Sequence, residues 1–157
     1  MQGIDKYLRL CKAIGYTFNN EALLEQALTH RSAAKQHNER LEFLGDAILG
    51  MIIGETLFKR FPTVPEGKLT RMRSTLVKGD TLAELAKEAS VGELLNLGPG
   101  ELKSGGHRRS SILADAVEAI LGAIYLDSGM DEVRGVIDRL WESRINQLDP
   151  NAHPKDS

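Results

Sequence analysis

Between Asn38 and Leu49 the chain carries two patterns at once. Leu41, Leu44, Ile48 and Ile52 recur at i, i+3, i+7 and i+11, the period of an α-helix with one apolar face. Glu39, Glu42 and Asp46 recur at i, i+3 and i+7. At about 100° per residue they fall within roughly 60° of one another, on the side opposite the apolar stripe. Like charges at this spacing repel by a few tenths of a kcal/mol per pair. The acidic face therefore needs a reason, and a bound cation is one candidate.

The rest of the chain is also helical in pattern. A first helix is expected over Asp5 to Ile14, ended by Gly15, and a second over Leu23 to Leu28, capped by Asn20. Thr29 to His37 reads as a polar connection. Asn38 is placed to cap the acidic helix, which runs on to Phe61 before Pro62 and Pro65. Glu66 to Val77 follows, with Lys68, Arg71, Arg73 and Lys78 on its polar face. Thr81 and Glu84, at capping-box spacing, open the next helix. Val91 to Leu97 is a short apolar piece, and Gly98 to Arg109 is a glycine-rich basic loop. Ser110 or Ser111 caps a helix to about Leu126, and a last helix starts at Asp131 and includes Trp141, which belongs to the core or to an interface. The fold class is all-α, with about seven or eight helices. Residues 1–148 form one domain and 149–157 a polar tail.

Asp115 and Glu118 repeat the logic of the acidic helix. They lie at i, i+3, with Leu113, Val117, Ile120 and Ile124 on the opposite side and Ala114, Ala119, Gly122 and Ala123 around them. Small residues permit close approach of helices. If the two acidic faces meet, four or five carboxylates converge, and an all-oxygen set suits Mg²⁺, or Mn²⁺ in its place. Two such ions about 3.5–4 Å apart serve phosphodiester cleavage. Acids on the outer face of an amphipathic helix are also commonly just solvated, and at this level both readings stand.

Other chemistries find little support. The loop at Gly98–Arg109 lacks the Lys-Ser/Thr ending of a P-loop and the spacing of a dinucleotide fingerprint, so no nucleotide cofactor is expected. The four histidines, His30, His37, His107 and His153, make no zinc spacing, and no Gly-x-Ser-x-Gly elbow occurs. Cys11 is the only cysteine, which excludes an internal disulfide. No apolar run reaches the ~18 residues of a membrane span, and the N-terminus does not read as a signal peptide. A net charge of −2 is not the balance of a chain that holds nucleic acid by charge alone.

His37–Asn38–Glu39–Arg40–Leu41–Glu42–Phe43–Leu44–Gly45–Asp46–Ala47–Ile48–Leu49 resembles the signature of ribonuclease III. Ala27 to Ser32, Leu97 to Gly106 and Ser111 to Ala119 resemble further blocks of that family, in the right order over about residues 5–147. The resemblance implies a Mg²⁺-dependent endonuclease on double-stranded RNA, with Mn²⁺ able to replace Mg²⁺. It implies a cytoplasmic homodimer in which metal-activated water leaves 5′-phosphate and 3′-hydroxyl ends, with a role in rRNA and mRNA precursor processing. The alternative within the same fold is a non-catalytic RNA-binding or dimerisation domain, in which loss of the metal-site acids is expected. By resemblance Glu42, Asp46, Asp115 and Glu118 occupy the metal positions, with Asp46 and Glu118 indispensable. Glu39 and Glu66 fall near the RNA or the cleft, and Lys68 stands where many bacterial members carry an acid.

Phe43 lies off the apolar stripe. Packed on the helix that starts near Glu66 it would be structural; by resemblance it inserts into the partner subunit, and it is assigned to the dimer interface. Lys103, Arg108 and Arg109 are candidate contacts to RNA backbone. Arg71, Arg73 and Lys78 read first as a solvated face. Bacterial members continue into a C-terminal double-stranded-RNA-binding domain. This sequence stops at Ser157, inside what resembles the linker, as an excised domain or a short member would. Weak, strongly salt-dependent RNA binding is expected of it.

Overall fold

The computed structural model describes residues 2–151. Eight α-helices follow one another: α1 (Gln2–Ile14), α2 (Glu21–Ala27), α3 (Glu39–Arg60), α4 (Glu66–Val77), α5 (Gly79–Glu88), α6 (Pro99–Lys103), α7 (Ser110–Ser128) and α8 (Met130–Asn146). Two 3₁₀ turns, Val91–Leu94 and Gly106–Arg108, flank α6. Among the described residues the extended pairing is one isolated parallel bridge, Thr29 to Asn96. The all-α expectation holds. Of the polar tail only residues 149–151 are described, without helix; Pro154 and His153 lie outside the described residues.

The axis of the fold is α7 rather than the acidic helix α3. From Ile112 to Ile124 every residue of α7 except Asp115 is buried, and α7 packs against α2, α3, α5 and α8. A helix that is apolar nearly all round belongs in the middle of a bundle. Its alanines and glycine let the neighbours approach closely. α3 supplies the largest of these contacts through Leu41, Ile48, Leu49, Ile52, Ile53 and Leu57, while Leu44 is only partly buried against the core.

The crossing of α3 and α7 depends on two glycines. A Cβ on Gly45 would lie 1.7 Å from the Glu118 carbonyl oxygen, and one on Gly122 would lie 2.4 Å from the Leu41 carbonyl oxygen. No larger residue fits at either place without moving a helix backbone. Elsewhere Gly15 (φ +72°) ends α1 and Gly129 (φ +95°) separates α7 from α8, both conformations that glycine adopts at little cost. Trp141 is fully buried, and its indole N–H donates to Leu76 O at 2.8 Å, tying α8 to the end of α4.

Four local expectations resolve differently. Asn20 caps α2 by accepting from Ala22 N–H, but Asn38 makes no side-chain cap on α3. Its buried amide instead donates to Ala27 O at 2.9 Å. That bond satisfies a carbonyl at the end of α2, which would otherwise be stranded in the interior. Thr81 lies inside α5, which already begins at Gly79, and its hydroxyl donates to Thr75 O. α7 begins at Ser110 with Arg109 preceding it, and no serine cap forms. The basic glycine-rich segment is not a plain loop: α6 and the Gly106–Arg108 turn fold it into a compact strap.

Candidate active site

The glycine crossing brings the two acidic faces together. Glu42 and Asp46 are carried by α3, Asp115 and Glu118 by α7, and backbone contact at Gly45 and Gly122 holds the helices close where these side chains emerge. Oxygens of Glu42, Asp115 and Glu118 all lie within 4.8 Å of one another. Asp46 joins the group through a hydrogen bond with Glu118. Glu118 is a buried carboxyl, 8% exposed, and Asp46 lies at the solvent side.

Four carboxyls so placed do not all ionise freely. Burial, then the hydrogen bond with Asp46 and the charges of Asp46, Glu42 and Asp115, push Glu118 up to about 9. Burial, then the hydrogen bond with Asp115 and the neighbouring negative charges, push Glu42 up to about 7. Each of these hydrogen bonds spans the two helices: Glu42 with Asp115, and Glu118 with Asp46. A cation of charge two does the same work as the protons in these bonds. The donors are all hard oxygens, with Glu42 and Asp115 lining a cleft, a set that could hold a divalent metal ion.

The cleft has a volume of about 200 Å³ and is lined by His30, Arg31, Asn38, Glu39, Glu42, Glu101, Arg109, Ser111, Ile112 and Asp115. Its far rim is built from the 29–37 connection and the strap. His30 N–H donates to Asn96 O (3.0 Å) and Asn96 N–H to Leu28 O (2.9 Å), while Gly98 N–H donates to Ser32 Oγ (2.9 Å). Two ion pairs sit on the rim: Arg31 with Glu39 at 3.4 Å and Arg109 with Glu101 at 3.0 Å.

The structure thus brings together Glu42, Asp46, Asp115 and Glu118, the four positions the resemblance grouped and the spacing alone left open. Glu39 borders the cleft but faces Arg31 and His37. Glu66 opens α4 as an exposed residue and does not line the cleft. Phe43 is 80% exposed and does not pack on α4. His30, Arg31, Glu101 and Ser111 were not singled out from the sequence as cleft residues. The matching blocks around residues 27–32, 97–106 and 111–119 were the available signal for them.

A family model described as Ribonuclease-III-like matches residues 20–143. The chain is 57% identical over 157 residues to a protein named Ribonuclease 3 from Shewanella amazonensis, covering all of this chain and 70% of that protein. It is 58% identical over 148 residues to a protein of the same name from Photorhabdus laumondii, covering 94% of this chain and 66% of that one. Among solved structures it is similar to the nuclease domain of ribonuclease III from Campylobacter jejuni, with a TM-score of 0.86 and 40% identity, covering 95% of this chain and 100% of that one. A second structure of that nuclease domain is described as showing structural flexibility in the region involved in dimer formation. A Dicer from Pichia stipitis matches with a TM-score of 0.69 and 28% identity, over 86% of this chain and 60% of that one.

Proposed function

The chain belongs to the ribonuclease III family, and from that premise we propose that it is an endoribonuclease on double-stranded RNA in which Glu42, Asp46, Asp115 and Glu118 hold Mg²⁺. The observation that carries this reading is the pairing of acids across the α3–α7 crossing. All four acids are present and converge, so the alternative of a non-catalytic RNA-binding or dimerisation domain is not favoured. Glu42, Asp46, Asp115 and Glu118 would hold the ion, which would supply Lewis acidity for the activation of water and for charge on the phosphate.

The protein's own part is to fix the donors. Glu118 is the buried member of the four, carried by the core helix α7. Asp46 lies at the open side and hydrogen-bonds Glu118. Glu42 and Asp115 form the pair that lines the cleft. Products with 5′-phosphate and 3′-hydroxyl ends accord with water attacking at phosphorus. Replacing Asp46 by Asn or Glu118 by Gln keeps shape and removes a charged ligand; either should abolish Mg²⁺-dependent cutting of a duplex RNA while the circular dichroism spectrum is kept. Full turnover in both variants would sink the assignment.

A homodimer is part of the proposal. Phe43, Met51 and Phe58, at 80%, 50% and 71% exposure, lie along one face of α3. Aromatic side chains left in water on the outer face of a core helix are what a partner subunit would cover. Among the described residues no helix is long and apolar enough to cross a membrane.

A further inference from the structure

The strap formed by residues 98–109 has no assigned role, yet it is folded tightly around one carboxylate. Glu101 is largely buried, 24% of its side chain exposed. A Cβ on Gly106 would lie 2.8 Å from Glu101 Oε2 and 2.9 Å from Glu101 O, so the strap closes against Glu101 on a glycine. A Cβ on Gly98 would lie 2.3 Å from Ser32 O, which seats the strap on the 29–37 connection. Arg109 Nη1 donates to Glu101 Oε2 at 3.0 Å and to Oε1 at 3.4 Å. Of the three cations that end this segment, only Arg109 lines the acidic cleft. Arg108 lines a different cavity with Lys87, Ser90 and His107, and Lys103 is exposed.

Arg109 immediately precedes α7, so it is fixed relative to Asp115 less than two helical turns on. The guanidinium uses one nitrogen on Glu101, which keeps its Nε and Nη2 donors for an acceptor in the cleft. A ribose-phosphate backbone approaching the carboxylate group meets negative charge, and a rim cation in fixed position offsets part of that repulsion. We propose that Arg109, positioned by Glu101, grips a backbone phosphate oxygen of the duplex beside the bond that is cut. The inference rests on the ribonuclease reading above. It makes Arg109 a substrate-binding residue and Glu101 a positioning residue. Arg31, held by Glu39 on the same rim, is the weaker and more exposed counterpart.

The test is steady-state cleavage of a short duplex RNA by the full chain over a series of Mg²⁺ concentrations. Arg109→Ala should lower kcat/KM by roughly 10- to 100-fold, the worth of one charge-assisted hydrogen bond, and Arg109→Lys should restore part of it. Glu101→Gln should cause a smaller loss, and the double variant should be no worse than Arg109→Ala alone. The Mg²⁺ concentration for half-maximal rate and the Tm should stay in place throughout, which a merely structural role for the ion pair would not allow. Wild-type kcat/KM in Arg109→Ala, or losses that multiply in the double variant, would overturn this inference alone. A wild-type chain that cuts no duplex RNA at any Mg²⁺ concentration would overturn the functional reading and this inference together.

Discussion

Replacing Gly45 with alanine adds one methyl group where α3 touches α7. The new Cβ would lie 1.7 Å from Glu118 O and 2.6 Å from Glu118 C, inside the 3.0 Å that Cβ contacts essentially never breach. Both obstacles are backbone, so no side chain can swing aside, and the helices must part by roughly 1.3 Å. Overpacking of this kind costs about 1–3 kcal/mol, occasionally more, against a gain of up to about 1 kcal/mol from removing a helical glycine. The same displacement separates the acids of α3 from those of α7. A shift of about 1 Å in a catalytic arrangement costs on the order of 100-fold in rate. Gly45→Ala should therefore melt several degrees below wild type and cut duplex RNA about 100-fold more slowly at saturating Mg²⁺. Gly79→Ala is the control. It opens α5 with nothing within 4 Å of its Cβ, so Tm should hold or rise slightly with activity unchanged. A Gly45→Ala protein with wild-type Tm and wild-type kcat would show that the crossing does not set the site, and the reasoning would fail.

Two further outcomes follow from the same geometry. Glu118 and Glu42 have folded-state values raised above their unfolded ones, so in metal-free protein the folded state binds more protons than the unfolded. Their contribution is full below the unfolded carboxyl range and is lost as pH rises through about 7 and then about 9. After allowance for screening at the open side of the cleft, about 2–3 kcal/mol should disappear between weakly acidic and alkaline pH. Mg²⁺ should restore more stability the higher the pH; thermal melts in chelator that stay flat or rise across that window would contradict the raised values of Glu42 and Glu118. Phe43→Ala should leave the monomer's stability within about 0.5 kcal/mol, because the ring is exposed. It should weaken self-association by about 2–4 kcal/mol, or roughly 30- to 1,000-fold in Kd; sedimentation showing an unchanged Kd would remove α3's outer face from the interface.

The features legible in the sequence are those written as periodicity. The apolar stripe of α3 and the carboxylates opposite it survive into three dimensions, because they rest on helical spacing alone; α7 keeps Asp115 and Glu118 at i, i+3 but is buried nearly all round, with Glu118 in the interior rather than on an outer acidic face. What periodicity does not contain is which groups compete for a backbone partner. Asn38 is well placed to cap α3 but is taken by Ala27 O. Thr81 is taken by Thr75 O. Gly122 was legible as one of the small residues that let a helix approach, but that its contact is the Leu41 carbonyl, and that Gly45 meets the Glu118 carbonyl, depends on a helix some seventy residues away in the chain. Arg109 and Glu101 look like one basic and one acidic residue in a loop; their pairing at the cleft depends on α6 and the turn after it, which glycine content conceals.

The division of the site between α3 and α7 has a consequence for biosynthesis. Glu42 and Asp46 are translated long before Asp115 and Glu118, and the face of α3 that carries Ile48, Leu49 and Ile52 has its main packing partner only in α7. A nascent chain that ends before α7 carries half a site on a helix without its core. On the reading above, a nuclease made on a ribosome, surrounded by folded RNA, thus gains its cutting power only once its interior has closed.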